Sequence, residues 1–282
     1  MKTITLGISP CPNDTFIFDA LLHGKIDTKG LSFDFVLEDV ETLNQWAMAG
    51  KLDVTKLSFA SFFYVTEKYQ MLSSGAALGR GVGPLLIAKR PLDLQHMSHY
   101  TVAIPGKYTT AHLLTSLAFP KGLNTREYVF HEIENAVLSG ACDAGVIIHE
   151  NRFTYASKGL VKLLDLGDWW EQKTNAAIPL GGIAIKRSVP KEVVHTLNDL
   201  IRESVRYAWN TYPDLAPWVV EHAQEMNEDV MRQHINLYVN RYTEDLGDEG
   251  TQAVNTLYEH FLDLGMTSGK ELDIFAISTP AS

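Results

Sequence analysis

Hydrophobic and polar positions switch repeatedly between two periods over the first two thirds of the chain. Alternation at residues 3–8 and 31–38 is typical of strands, and apolar residues recur at helical spacing over residues 40–49. A comparable series restarts at residue 101 with the segments TVAIPG, TTAHLLTSLAF, EYVF, HEIENAVLSG, AGVIIH and ENRFTYASKG. Strands that alternate with helices of this length predict an α/β fold with mostly parallel sheets and helices on both faces.

The last hundred residues have a different pattern, which predicts a helical C-terminal region. The segment PKEVVHTLNDLIRESVRYAW carries an apolar stripe at helical spacing, and its proline suits the first helical turn. Three further helices are predicted over PDLAPWVVEHAQ, NEDVMRQHINLYVNRY and DEGTQAVNTLYEHFLDLG. We interpret four histidines of this region as exposed helix residues: His195, His222, His234 and His260.

Length and charge narrow the class of protein. The 282 residues suffice for one large domain or for two lobes of about 100–150 residues each. Lys and Arg number 24 against 34 Asp and Glu, a formal net charge of -10. Because phosphate binding depends on clustered basic residues, this balance argues against a nucleic-acid partner.

Cysteine content and the N-terminal segment bear on location. The two cysteines, Cys11 and Cys142, lie far apart in the sequence, which is typical of a reducing compartment. The segment MKTITLGISPCP is unlike a signal peptide, and no apolar run reaches the ~18 residues of a membrane span. We therefore expect a cytoplasmic protein that does not insert into membranes.

Two stretches, residues 43–58 and 133–149, share one plan: an apolar helix, a G-x-x-D turn, a short strand and a polar ending. An ordinary helix-to-strand turn accounts for the glycine and the aspartate. The strand ends deliver Lys56 and Ser58 in one stretch and His149 in the other. Ligands of open parallel sheets bind beyond the carboxyl ends of strands, so these side chains are candidates for a ligand site.

The segment SPCPNDTFIF follows the first predicted strand and opens a helix. Its two prolines restrict the backbone and remove two donors, and a polar residue after them, Asn13, Asp14 or Thr15, is expected to cap the helix. The segment PGKYTTAHLL repeats this arrangement with Thr109 and Thr110 at a helix start. Helix N-termini favour anions, so one such end in each half predicts an anionic ligand held between two lobes, although plain capping explains either end alone.

Several longer motifs carry a resemblance to a known family. The segments SPCPNDTFIF, LEDVETLN, TKLSFAS, AALGRGVGPLL, PGKYTTAHLL, AGVIIHE and LLDLGDWWEQKT occur in order. Together they resemble 1,4-dihydroxy-6-naphthoate synthases of the futalosine branch of menaquinone biosynthesis. The resemblance runs from residue 3 to about residue 190 and more loosely through the C-terminal helices.

The resemblance implies a fold and a division of the chain. The fold is the two-lobed one of type II periplasmic binding proteins, with the ligand cleft between the lobes. We expect a larger, discontinuous lobe of residues 1–89 and 181–282 and a smaller lobe of residues 90–180. No cofactor is implied, and the partner is a small anionic substrate.

The resemblance also implies a reaction and its residues. Cyclic dehypoxanthinyl futalosine would be converted to 1,4-dihydroxy-6-naphthoate by a lyase in which His149 is the catalytic base. A histidine suits proton transfer near neutral pH. Substrate contacts are implied for the TKLS segment, the paired threonines and the first-lobe loop: Lys56, Leu57, Ser58, Thr109, Thr110, Asn13 and Asp14.

Alternatives remain open at this point. A chorismate dehydratase of the same pathway and a non-catalytic solute-binding protein would share the fold. The pairs His131-Glu132 and His149-Glu150 lack the H-E-x-x-H pattern, and the cysteines lack zinc spacing, so no metal is expected. The sequence leaves the oligomeric state open, a homodimer included.

Overall fold

The computed structural model describes residues 2–223, 227–265 and 273–277, and its strands form two sheets. The strands of the first sheet are β1 (Lys2–Ile8), β2 (Leu31–Leu37), β3 (Val54–Ser58), β4 (Tyr69–Met71), β5 (Ala77–Gly79) and β11 (Ile178–Lys186). Their order is β2-β1-β3-β11-β4, with β5 also paired to β11. The first sheet therefore takes strands from both ends of the chain.

The second sheet contains five strands from the middle of the chain. They are β6 (Leu85–Ala88), β7 (Thr101–Ile104), β8 (Asn124–Glu127), β9 (Ala144–Ile147) and β10 (Val161–Asp165), in the order β10-β6-β9-β7-β8. The strand predicted over EYVF lies three residues earlier, because the apolar end of that segment instead enters a 3₁₀ turn at Phe130–Glu132.

Helices cover both sheets. They are α1 (Pro12–Leu22), α2 (Val40–Met48), α3 (Phe59–Tyr64), α4 (Thr110–Ala118), α5 (Ile133–Ser139), α6 (Asn151–Thr154), α7 (Leu166–Thr174), α8 (Lys191–Thr211), α9 (Pro217–His222), α10 (Glu228–Tyr238), α11 (Arg241–Glu244) and α12 (Gly247–Asp263). The predicted helical C-terminal region is confirmed by α8 to α12. No helix in the described residues is both long and apolar enough to cross a membrane.

The sheets are mixed rather than mostly parallel. Strands β2-β1-β3 and β8-β7-β9 are parallel triplets, as their alternation with helices predicted. The remaining strands add antiparallel pairs, notably β11 with β3 and β6 with β9. These added strands lie outside the strand–helix repeats, so the repeat pattern could not predict their direction.

The two parallel triplets confirm the internal repeat. Asp53 precedes β3 and accepts a hydrogen bond from the backbone N–H of Thr5 on β1, at 3.2 Å. Asp143 precedes β9 and accepts one from the backbone N–H of Thr101 on β7, at 2.8 Å. An aspartate at the equivalent position thus ties equivalent strands in each half. The ends of these strands point towards the same region.

The backbone crosses between the sheets twice. The first crossing lies between β5 and β6, where Arg152 donates to the carbonyl oxygens of Gly81 and Gly83 and pairs with Asp165. A Cβ atom on Gly83 would lie 2.3 Å from the backbone of Gly167, so this close approach requires glycine. The lobe boundaries drawn at residues 89 and 181 stay a prediction, although sheet membership assigns β6 to the second sheet.

Apolar clusters pack the helices against the two sheets. Trp170 is fully buried in the large cluster that joins α3, α4, α7 and α12. Its indole N–H donates to the carbonyl oxygen of Ala177 at 3.3 Å. A second cluster packs α1, α8 and α10 on the first sheet. These packed layers fix the strand ends that carry the polar residues described next.

Candidate functional site

Four strand ends meet at one cavity between the two sheets. Strands β1, β3, β7 and β9 each finish beside it, so the repeat brings both halves of the chain to one place. The cavity has a volume of about 80 Å³. Six residues singled out in the sequence line it: Asn13, Lys56, Ser58, Thr109, Thr110 and His149.

Asp14 lies beneath this cavity with no exposed surface. One carboxylate oxygen accepts from the backbone N–H and the hydroxyl of Ser9, at 3.1 and 2.7 Å. The other accepts from the amide nitrogen of Asn13 at 2.9 Å and from Lys56 Nζ at 2.5 Å. A carboxylate offers about four acceptor positions, and four donors reach this one. Asp14 therefore orients three residues that line the cavity.

The capping role predicted for Asn13, Asp14 or Thr15 is wrong. Helix α1 begins at Pro12 with Cys11 as its N-cap, and no side chain caps it. The predicted cap residues fall inside the first turn, because proline fits that turn without a backbone donor. The corresponding prediction for α4 is correct, since Thr109 is its N-cap and accepts from the N–H of His112 at 3.2 Å.

Ser58 is held by a buried amide. Asn44 accepts from the Ser58 backbone N–H at 3.0 Å, and its own N–H donates to the Ser58 hydroxyl at 3.2 Å. The hydroxyl oxygen is therefore an acceptor of this bond, and its hydrogen is left to point elsewhere. The neighbouring Leu57 packs its side chain into the apolar core, which leaves its backbone for any contact with a ligand.

Thr110 joins the two halves of the chain. Its hydroxyl donates to the carbonyl oxygen of Leu180 on β11 at 2.7 Å and accepts from the N–H of Ala60 on α3 at 3.2 Å. These bonds occupy the hydroxyl hydrogen. The N–H groups of Thr110 and Ala111 belong to the first turn of α4, where helices leave backbone donors without intrahelical partners. Both residues line the cavity, so this helix end can receive an anion.

His149 follows β9 in a left-handed backbone conformation, with φ of 57°. Non-glycine residues seldom adopt this conformation, and those that do cluster at functional sites. Its ring packs edge-on against Phe130, with centroids 4.8 Å apart. Burial lowers the pKa of His149 to about 4, with Lys56 adding to the effect and Asp14 opposing it. The imidazole is therefore neutral at neutral pH.

Cys11 lies against this imidazole, with Sγ 3.4 Å from His149 Nδ1. Cys11, His149 and Glu150 bring donor atoms within 4.8 Å of one another. Sequence spacing could not show this, because Cys11 lies far along the chain from the adjacent His149 and Glu150. Burial raises the pKa of the Cys11 thiol well above its ordinary value. Metal ions bind the thiolate, so this environment favours a protonated packing residue.

His234 is the residue that the sequence interpretation missed. It was expected to be exposed on a C-terminal helix, but it is fully buried on α10 and lines the cavity. Its Nε2 lies 2.9 Å from Asn13 Oδ1. Its ring is nearly parallel to that of His149, with centroids 6.1 Å apart. No local pattern signals this contact, because Asn13 and His234 are 221 positions apart.

Comparison with known proteins gives two relatives of similar length. A 1,4-dihydroxy-6-naphthoate synthase from Thermus thermophilus is 42% identical over 98% of this chain and 100% of its own. A protein of the same name from Streptomyces coelicolor is 44% identical over 90% of this chain and 91% of its own.

Solved structures share the fold. A crystal structure of a protein from Archaeoglobus fulgidus has a TM-score of 0.89 and 34% identity, covering 94% of this chain and 98% of that one. The ligand-binding component of an ABC-type import system from Staphylococcus aureus has a TM-score of 0.70 at 13% identity, covering 98% and 96%. The expected periplasmic-binding-protein fold is thereby confirmed. A family model described as menaquinone biosynthesis matches residues 4–262, and with these relatives it shows that the chain belongs to the menaquinone biosynthesis family that includes the 1,4-dihydroxy-6-naphthoate synthases.

Proposed function

We propose that this chain is a cofactor-independent lyase that converts cyclic dehypoxanthinyl futalosine to 1,4-dihydroxy-6-naphthoate, with His149 as the general base. Family membership supports the pathway and the product. The observation that carries the assignment of roles is the cavity itself. A neutral imidazole, a lysine and a helix N-terminus line it together.

The chemistry needs a base and a set of donors. In a retro-aldol-type step, a base takes the proton of a hydroxyl, the adjacent C–C bond breaks, and its electron pair delocalises onto a neighbouring carbonyl as an oxyanion. Neutral His149 supplies the base. Lys56, the Ser58 hydroxyl and the first N–H groups of α4 supply donors for the substrate carboxylate and for the developing charge. Proton transfer and charge stabilisation account for the step without an electron carrier.

The size of the cavity requires movement during turnover. Small-molecule sites commonly enclose about 300–1,000 Å³, whereas this cavity has about 80 Å³. The walls therefore separate to admit the substrate and close over it, which excludes water from the reactive intermediate. An anion bound beside His149 favours the imidazolium, so substrate binding opposes the lowering of the His149 pKa by burial.

Two residues carried over from the family take indirect roles in this proposal. Asp14 acts by holding Lys56 and Asn13 in place, since four protein donors surround its carboxylate. Leu57 acts through its backbone, since its side chain packs in the core. The cytoplasmic location, the homodimer and the lobe boundaries stay predictions from the sequence.

A substrate assay tests the reaction. Purified protein is incubated with cyclic dehypoxanthinyl futalosine and, separately, with chorismate, in the presence of a chelator and without nucleotide, and the products are followed by mass. We expect 1,4-dihydroxy-6-naphthoate from the first mixture and unchanged chorismate in the second. Loss of water from chorismate with no naphthoate formed would favour the dehydratase, and no change in either mixture would favour a solute-binding protein.

A further inference from the structure

His234 occupies a position that the proposed mechanism does not use. It is fully buried, lines the cavity, and stands beside the proposed base with its ring nearly parallel to that of His149. Histidine at a buried site needs hydrogen-bond partners for both ring nitrogens. The structure supplies a partner for one of them.

The hydrogen-bond chain fixes which nitrogen of His234 carries the proton. The Asp14 carboxylate pairs with Lys56 and can only accept hydrogen bonds. The amide of Asn13 therefore presents its nitrogen to Asp14, at a distance of 2.9 Å. The Asn13 oxygen then faces His234 Nε2, at 2.9 Å. An amide oxygen accepts, so Nε2 is the nitrogen with the hydrogen. Nδ1 of a neutral His234 is therefore a bare acceptor.

Nδ1 of His234 receives no hydrogen bond from the described part of the chain. Nδ1 of His234 is buried and has no hydrogen-bond partner among residues 2–223, 227–265 and 273–277. Burial lowers the pKa of His234 well below its ordinary value, with His149 and Lys56 adding to the effect, so protonation does not satisfy Nδ1. A buried acceptor without a donor is costly, which makes a donor on a bound molecule the natural partner.

We propose that His234 is a specificity-determining residue whose Nδ1 accepts a hydrogen bond from a hydroxyl of the bound substrate. The inference rests on the proposed function for the identity of the substrate. Lys56 and the start of α4 are donors and suit the anionic end of the molecule, whereas a neutral acceptor repels a carboxylate and suits a hydroxyl. Separation of the walls on substrate entry uncovers Nδ1, which is closed off in the tight cavity.

Two substitutions of His234 test the roles of its two ring nitrogens independently. In His234→Asn the side-chain oxygen occupies the place of Nδ1 but the amide is too short to reach Asn13. In His234→Gln the amide nitrogen takes the place of Nε2 and keeps the bond to Asn13, while no acceptor stands at Nδ1. We expect His234→Gln to raise KM about tenfold, the factor of one lost hydrogen bond, and His234→Asn to stay within about threefold of wild type.

A larger rise in KM for His234→Asn than for His234→Gln would show that His234 acts only by holding Asn13, and it would overturn the proposal. Equal effects of the two substitutions on KM would overturn it as well. Thermal unfolding of both variants reports whether each is folded. If a variant does not fold, an NMR measurement on His234 in a chain that keeps this residue tests the proposal instead. In the inactive His149→Asn variant saturated with substrate, the ¹⁵N resonance of His234 Nδ1 shifts upfield if Nδ1 accepts a hydrogen bond, and an unmoved resonance contradicts the proposal.

Wild-type turnover in the same assay tests the proposed function separately. If wild type forms no naphthoate, the reaction assignment fails whatever the variants do. If wild type forms naphthoate but the KM values of His234→Gln and His234→Asn do not differ as expected, only the role of His234 fails.

Discussion

The cavity has two walls built on different physical principles. The Asp14 wall comes from α1, β3 and α10 and carries Asn13, Lys56 and His234. Its side chains are connected by hydrogen bonds that converge, directly or through Asn13, on one buried carboxylate. The wall therefore presents a lysine, an amide and an imidazole whose orientations all depend on Asp14.

The His149 wall comes from α4 and β9 and carries Thr109, Thr110 and His149. Here the backbone sets the positions. A threonine cap fixes the start of α4, and a left-handed residue turns the chain after β9 so that the imidazole faces the cavity. Within the described residues no buried ion pair supports these groups. The comparison therefore predicts that side-chain changes on this wall affect chemistry more than folding.

The largest effect is expected at His149. Asparagine tolerates the left-handed conformation better than alanine, so His149→Asn removes the proposed base while it keeps the backbone. Loss of a general base typically costs about 10²–10⁴-fold in rate. We expect kcat to fall by that factor, measured by single-turnover kinetics, with product affinity within a few-fold of wild type.

The pH profile sharpens this prediction. Burial lowers the pKa of His149 to about 4, so the ligand-free protein loses the neutral imidazole only when the pH falls through that value. If His149 is the base as proposed, kcat/KM should hold from neutral pH down to about 5. The lowered value also means that folding stability attributable to His149 is full above about pH 6.5 and declines as the pH falls towards 4. Turnover of His149→Asn close to wild type would remove this residue from its role.

The second largest effect is expected on the Asp14 wall, where a substitution should lower the free energy of unfolding. Asp14→Asn leaves the ammonium of Lys56 buried without its counter-charge, and breaking such a pair costs about 3–5 kcal/mol. Urea unfolding measures the loss. The double variant Asp14→Asn, Lys56→Met should recover much of it, because the unpaired charge is gone. Asp199→Asn breaks the exposed pair with Arg202 and should cost only about 0–1 kcal/mol. A similar small cost for Asp14→Asn would contradict the description of this wall.

The smallest effect concerns Glu41, a partly buried acid beside the loop that precedes α4. Glu41 on α2 lies against Gly106 in the loop before α4, where an added Cβ would approach its carboxylate to 2.6 Å. Burial raises its pKa from 4.5 to about 7, and Glu127 adds to the shift while Asn44 opposes it. An acid with a raised pKa stabilises the fold fully below about 4.5 and loses that contribution as the pH rises through 7.

Glu41→Gln should therefore lose less stability than wild type between about pH 5 and about pH 8. Chemical unfolding at several pH values measures the difference. The exposed Glu259→Gln is the matched control and should leave the profile unchanged. Parallel profiles for wild type and Glu41→Gln would show that this carboxylate is not buried in solution.

Apart from the start of α1, where the predicted cap was wrong, short-range features were predicted and long-range contacts were not. The cap at Thr109 and the strand-end positions of Ser58 and His149 depend on a few neighbouring residues, and the structure has each of them as predicted. The bond between Asp14 and Lys56 spans 42 positions, and the one between Asn13 and His234 spans 221. Neither leaves a local pattern, so the sequence did not predict the ion pair of Asp14 with Lys56, and His234 was taken for an exposed residue.

The amino-acid sequence alone determined the strand–helix repeats, the turns at Gly50 and Gly140 and the helical end of the chain, because periodicity and turn chemistry act over a few residues. Tertiary structure alone decided that Asp14 is buried beneath the cavity, that His234 lines it, and which nitrogen of His234 carries the hydrogen. Those outcomes depend on packing that brings distant segments into hydrogen-bond distance, where burial removes the solvent that would otherwise satisfy each group.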